Sequence, residues 1–191
     1  MFHRFKLVTV GAALLAVPGV AQGQTAVGQI DIGTTVIGAC GLGTPTSTVI
    51  DLQDLTGPDG ELDPAKTGNS VLGTTTIPDA WCNGPHSIAF ESTAMTLQRA
   101  VPYAQPSYMA RRVTFDAKLV GWGPITVTSR PRNDNDRTTI GFSQAMAAPG
   151  AGLLMEVSNL ETLSLANTET PGLMLEHGNY LGTVTITLAA N

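Results

Sequence analysis

Apolar and polar residues alternate with a period of two along most of this chain. In the run Gly28–Val36 the even positions Gly28, Ile30, Ile32, Thr34 and Val36 face one way and Gln29, Asp31, Gly33 and Thr35 the other. That is the pattern of a strand with one dry and one wet face. No Asn-Gly, Asp-Gly or proline-bearing turn separates Ile30 from Cys40, so nothing marks a place for the chain to reverse. Such a strand finds its partner across its own fold or on another molecule, and the second is the expectation.

The same period recurs downstream. Ser47–Leu52 and Val71–Ile77 read as strands on either side of a loop, Gln53–Asn69, punctuated by Gly57-Pro58-Asp59-Gly60 and Asp63-Pro64. After a turn at Trp81–Pro85, His86–Ser92 alternates with Ile88 and Phe90 on one face. Gln98–Tyr108 reads as a loop. In Arg111–Val120, Val113, Phe115, Ala117 and Leu119 share one side while Arg112, Thr114, Asp116 and Lys118 take the other, predicting one buried and one solvated face. Ile125–Ser129 and Thr138–Phe142 flank Arg130–Arg137, read as a charged hairpin tip. Leu153–Leu165 is ambiguous. Leu153, Val157, Leu160 and Ser164 fit a helical spacing, but the glycine-rich loop before and Thr-Glu-Thr-Pro-Gly after favour strand. Tyr180–Ala190 closes the chain as a long alternating strand, with Tyr180, Gly182, Val184, Ile186 and Leu188 on one face. Many short strands and few helical signals predict an all-β fold, an immunoglobulin-like β-sandwich.

Composition sharpens this picture in three places. The 191 residues suffice for one domain with a real core. Charged residues make up only 13%, and 21 glycines and 12 prolines suit strands joined by turns. Residues 1–23 read as a signal peptide: Arg4 and Lys6, an apolar run Leu7–Val20, then small residues at Ala21 and Gly23. That run is short for a bilayer span, and none is expected in the mature chain. Losing Arg4 and Lys6 takes the net charge from −5 to −7, a poor balance for binding nucleic acid. In an exported chain the two cysteines, Cys40 and Cys82, are expected to pair. Closing that loop constrains the unfolded chain by about 4 kcal/mol in the loop-entropy account.

Candidate chemistry is thin. His86, behind a Gly-Pro turn, and His177, before Gly178, read as solvated loop residues. Ser143 lacks the second glycine of a nucleophile elbow. Asn133-Asp134-Asn135-Asp136 has neither the glycine nor the closing glutamate of a calcium loop. Trp81, Trp122, Tyr103 and Tyr108 read as core and turn packing rather than a sugar-stacking surface. No catalytic, cofactor or metal residue is nominated, and no enzyme is expected.

Three features taken together resemble a known family. They are the run Gly28-Gln29-Ile30-Asp31-Ile32 leading to Cys40, the second cysteine in Cys82-Asn83-Gly84-Pro85-His86-Ser87-Ile88, and the closing Gly178-Asn179-Tyr180-Leu181-Gly182-Thr183-Val184-Thr185-Ile186-Thr187-Leu188. The chain resembles the spore coat U-type secreted pilins, which include subunits of archaic chaperone–usher pili. It departs from them where Leu181-Gly182 follows the tyrosine in place of an acidic residue, where Val113-Thr114-Phe115 stands for a tyrosine-rich strand, and in a long Leu153–Thr170 stretch.

The resemblance implies an incomplete immunoglobulin-like domain, residues 36–191, preceded by a donor-strand extension, residues 24–35. A periplasmic chaperone would fill the groove left by the missing strand, and at an outer-membrane usher the extension of the next pilin subunit would replace it. Gly28, Ile30, Ile32 and Thr34 would be the donor residues. Tyr180, Val184, Ile186 and Leu188 would line the acceptor groove, and Cys40–Cys82 would be the disulfide. The subunit, in a homo- or heteropolymer, would pass through the periplasm to a surface fimbria serving adhesion or biofilm formation. The competing expectations are a monomeric secreted β-sandwich binding module, for instance for carbohydrate, and a spore or outer-coat structural protein.

Overall fold

The computed structural model describes residues 34–123, 126–132, 136–145 and 152–191. The signal peptide at 1–23 and the donor residues Gly28, Ile30 and Ile32 lie outside the described residues. About half of what is described is strand, and the single helical element among the described residues is a 3-10 turn at Pro64–Lys66 that Asp63 caps through its side chain.

The frame is built around β4 (His86–Leu97) and β6 (Arg112–Val120), whose apolar side chains are deeply buried. Val113, Phe115, Ala117 and Leu119 all sit at 3% exposure or less, as their alternation predicts. β4 runs antiparallel to β11 (Tyr180–Ala190) along its whole length. On its other edge β4 first pairs with β8 (Asp136–Phe142) and then, at Met95 and Thr96, with β6. β6 in turn pairs with β7 (Val127–Ser129) on that same edge, and with β9 (Leu153–Leu163) on the opposite one. β2 (Val71–Ile77) completes the antiparallel order β11-β4-β6-β9-β2. Two further short pairs flank it: β1 (Cys40–Gly41) with β3 (Trp81–Cys82), and β5 (Met109–Ala110) with β10 (Met174–Leu175). Cys40 and Cys82 face each other in register and form the expected disulfide. One apolar cluster joins these strands, with Trp122, Phe90, Ile88 and Leu160 fully inside it.

Leu153–Leu163 is strand, as preferred, and it is one strand rather than two. Its helical-looking spacing has a local cause. The register against β6 shifts between Thr114 and Asp116, and opposite it Asn159 adopts φ +52°. One extra residue flips the side-chain parity, so the core positions run 153, 155, 157 and then 160, a step of three inside a strand.

Four other expectations need correction. Ser47–Leu52 is not a strand. The Ser47 hydroxyl closes on Val49, and Thr75 Oγ1 both accepts from Ser47 N and donates to Ser47 O, so side chains take the place of a backbone ladder. The strands on either side of Arg130–Arg137 are not ladder partners of a hairpin: β7 pairs with β6 and β8, which already includes Asp136 and Arg137, pairs with β4, while residues 133–135 lie outside the described residues. The second face of β6 is only partly solvated: Thr114 is buried, and Arg112, Asp116 and Lys118 are half-buried.

His86 is the fourth. It is fully buried at the start of β4, stacked on Phe142 and edge-on to Trp122. Its Nε2 accepts from Trp122 Nε1 at 3.1 Å, which leaves Nδ1 to donate to Gly84 O at 2.9 Å. Neighbouring rings and a satisfied pair of hydrogen bonds outweigh the local turn signal, and the histidine is a core residue. Of the four aromatics weighed for sugar stacking, Trp122 is core, whereas Trp81, Tyr103 and Tyr108 remain exposed.

Candidate functional site

Strand β11 is where the apolar pattern and the burial part company. Its residues alternate half-buried and exposed from Tyr180 to Leu188, so Tyr180, Val184, Ile186 and Leu188 do point inward together, against the core. None of them is fully covered. The reason lies in the pairing: β4 takes one edge of β11, and no described strand takes the other. An edge of this kind presents unused N–H and C=O groups every second residue.

Beside that edge lies a groove of about 300 Å³. Its floor is made by Met95, Phe115, Met155 and Val157, each between 3% and 9% exposed. One wall is β11 from Tyr180 to Val184, and the other is the irregular segment Ser47–Leu52, tethered to β2 through Thr46 and Thr75. Gly182 sits in the β11 wall at a register shift, close under the backbone: a Cβ there would stand 2.7 Å from Thr93 O. The groove continues past Tyr180 into a wider depression bordered by Asp51, Asp54 and His177. Of the four β11 residues expected along a groove, Tyr180 and Val184 line this one, while Ile186 and Leu188 lie beyond it. The sequence does not reveal the floor and the opposite wall, because the floor residues come from β4, β6 and β9, which no pattern within β11 points to, and Ser47–Leu52 reads as a strand of its own.

The root of β11 is anchored by a buried charge. Glu176, 2% exposed, accepts from Arg111 Nε at 2.6 Å, Arg99 at 3.0 Å and Tyr103 Oη at 2.8 Å. The Arg111 hydrogen bond is the largest influence holding its carboxyl below the ordinary value near 4.5, against the opposing pull of burial. Tyr180 Oη donates to Glu176 O at 2.8 Å or Ala110 O at 3.1 Å. Burial, reinforced by the Glu176 charge, pushes that phenol up to about 12. Both groups therefore hold one ionisation state through ordinary pH, which suits a fixed anchor rather than proton transfer.

The remaining nominated residues are placed as follows. Cys40–Cys82 lies at the far end of β11, near Ala190. Thr34 is exposed and unpaired with any named strand. His177 is exposed at the groove mouth. Asp136, the described residue of the acidic run, spends its carboxylate on Ser129 Oγ at 3.0 Å and Arg130 N at 2.9 Å. Among the described residues no three His, Cys, Asp or Glu side chains gather as a metal site, and no helix is long and apolar enough to cross a membrane. No family model matches the chain, and neither a curated protein nor a solved structure matches it.

Proposed function

We propose that this chain is a structural subunit of a surface pilus, an immunoglobulin-like sandwich one strand short whose gap is filled by the leading segment of a neighbouring subunit. The observation that carries the reading is the groove beside β11. Strand β11, with Val184, Ile186 and Leu188 inward, has one edge that no other described strand takes, and its Tyr180–Val184 part borders an apolar floor. An extended segment laid there gains ladder hydrogen bonds from the edge, and its alternate side chains enter the groove. The run Gly28, Ile30, Ile32, Thr34 has the right period, with apolar groups on one side only. Each buried Ile contributes roughly 1.5–3 kcal/mol, so the joint would be long-lived. In transit a periplasmic chaperone would cover the same groove, and an outer-membrane usher would exchange it for the next subunit.

The test is Ile30→Asp with Ile32→Asp in the full chain. The doubly substituted subunit should still be exported and captured by its chaperone, yet form no polymer. Normal fibres from it would refute the reading, as would a wild-type mature chain that runs as a stable, chaperone-free monomer on gel filtration.

A further inference from the structure

Ile37–Ala39 lie at one definite end of β11. A side chain at Gly38 would stand 3.5 Å from the Cβ of Ala190. The Asn83 side chain clamps the backbone there, accepting from Ala39 N at 2.6 Å and donating to Ile37 O at 3.1 Å. Asn83 N also donates to Ala39 O at 3.0 Å, next to the Cys40–Cys82 disulfide. The exit at the Ala190 end is thus pinned by three hydrogen bonds and a covalent link.

This fixes the direction in which a second copy can enter. Lying parallel to β11, an incoming segment would emerge beside Leu188 and Ala190, where the recipient's own Ile37–Gly38 already stand. Lying antiparallel, it emerges at the Tyr180 end. There the mouth is flanked by Leu181 on β11 and Val49 on the opposite wall, 58% and 70% exposed. The residues that would come out of the groove at that point are Val36 and Ile37, 77% and 83% exposed. Two bare apolar pairs, one at each pole, are therefore brought together by one direction of entry.

We infer that, in the assembly proposed above and resting on that reading, Val36 and Ile37 of one copy seat against Val49 and Leu181 of the next. This is a second contact between copies, separate from the strand in the groove. It joins unlike poles, so each contact leaves one pole of each kind free to take a further copy. Its role is to keep water from the end of the inserted ladder and to set the angle between successive domains.

The experiment uses the full chain in its native host, with polymers sheared from the cells. Ile37→Cys combined with Leu181→Cys should give a ladder of disulfide-linked multimers on a non-reducing denaturing gel. Ile37→Cys combined with Leu165→Cys should give none, since Leu165 is equally bare but lies on the turn after β9. Val36→Ser with Ile37→Ser should give polymers that fall apart in denaturant about tenfold faster than wild type, the loss expected for a modest apolar contact. Normal polymers with no ladder, or with a ladder from the Leu165 pair, overturn this inference and leave the groove reading standing. So does an unchanged lifetime for the serine variant. A wild-type chain that never polymerises overturns both.

Discussion

Strands β9 and β11 are each eleven residues long, and each sends an alternating row of aliphatic side chains toward the same core. In β9, where β6 and β2 take both edges, Leu153, Met155 and Val157 are buried. In β11, which among the described strands is flanked by β4 alone, Val184, Ile186 and Leu188 are half-buried. The side chains are equally apolar, and only the second edge differs. Apolar residues that point inward and stay wet mark a surface with capacity for another strand, which is why the groove rather than any polar cluster is the functional candidate.

The comparison breaks most readily at its buried end. Leu160→Ala should cost about 2–5 kcal/mol, because it opens a cavity that rigid neighbours cannot refill. Ile186→Ala in the unassembled subunit should cost about 1 kcal/mol or less, since part of its surface already meets solvent. Urea denaturation of the two variants gives both numbers. Equal losses would mean that the edge of β11 is covered after all.

Why one strand was legible and the other was not follows from the same contrast. The bounds of β2 follow from its β-prone run of threonines, and those of β11 and the inward faces of β6 and β11 from strict alternation. β9 resists the same reading because the bulge at Asn159 inserts a residue, and a period of two with one slip imitates a period near 3.6. His86 was misread because local turn residues carry no information about Trp122 and Phe142, which arrive from 36 and 56 positions away. The groove was half legible. Parity identifies which β11 residues point in, but an empty edge is a property of pairing, and no pattern within a strand records its neighbours. Nor does alternation reveal that Ser47–Leu52 lacks a ladder, since Thr75 supplies the hydrogen bonds from the side.

Glycine substitutions sharpen the comparison at an intermediate size. At Gly182, in the wall of the groove, an added methyl meets Thr93 O at 2.7 Å and Met95 N at 3.1 Å, both backbone atoms. Gly182→Ala should destabilise by about 1–3 kcal/mol through this overpacking. Gly141 lies on β8, another strand that pairs with β4, and a methyl there meets nothing within 4 Å. Gly141→Ala should stay within about 0.5 kcal/mol of wild type. Thermal unfolding of the pair shows whether β11 is held as tightly against β4 as its register implies, or has slack that a donor strand takes up.

The smallest effects come from the carboxylates that brace the two sides. Near β9, Glu169 bridges Arg130 at 2.9 Å and Arg132 at 2.7 Å, and Arg130 also reaches Asp116 at 2.8 Å. The Arg130 hydrogen bond leads in holding the Glu169 carboxyl below its ordinary value near 4.5, just as Arg111 does for Glu176 at the root of β11. For both groups the folded value lies below the unfolded one. Their contribution is therefore complete above about pH 4.5 and is lost as the pH falls through the folded values. The difference is exposure: Glu176 is closed off, whereas Glu169 and especially Arg132 face water. Glu169→Gln should cost under about 1 kcal/mol at pH 7, and about 1 M salt should erase most of that. Glu176→Gln should cost more, resist salt, and flatten the acid limb of the stability curve between pH 5 and 3 more than Glu169→Gln does. Denaturant titrations across that range decide the point. If the Glu176 variant proves the more salt-sensitive, the root of β11 is open to solvent and the anchor assigned to it fails.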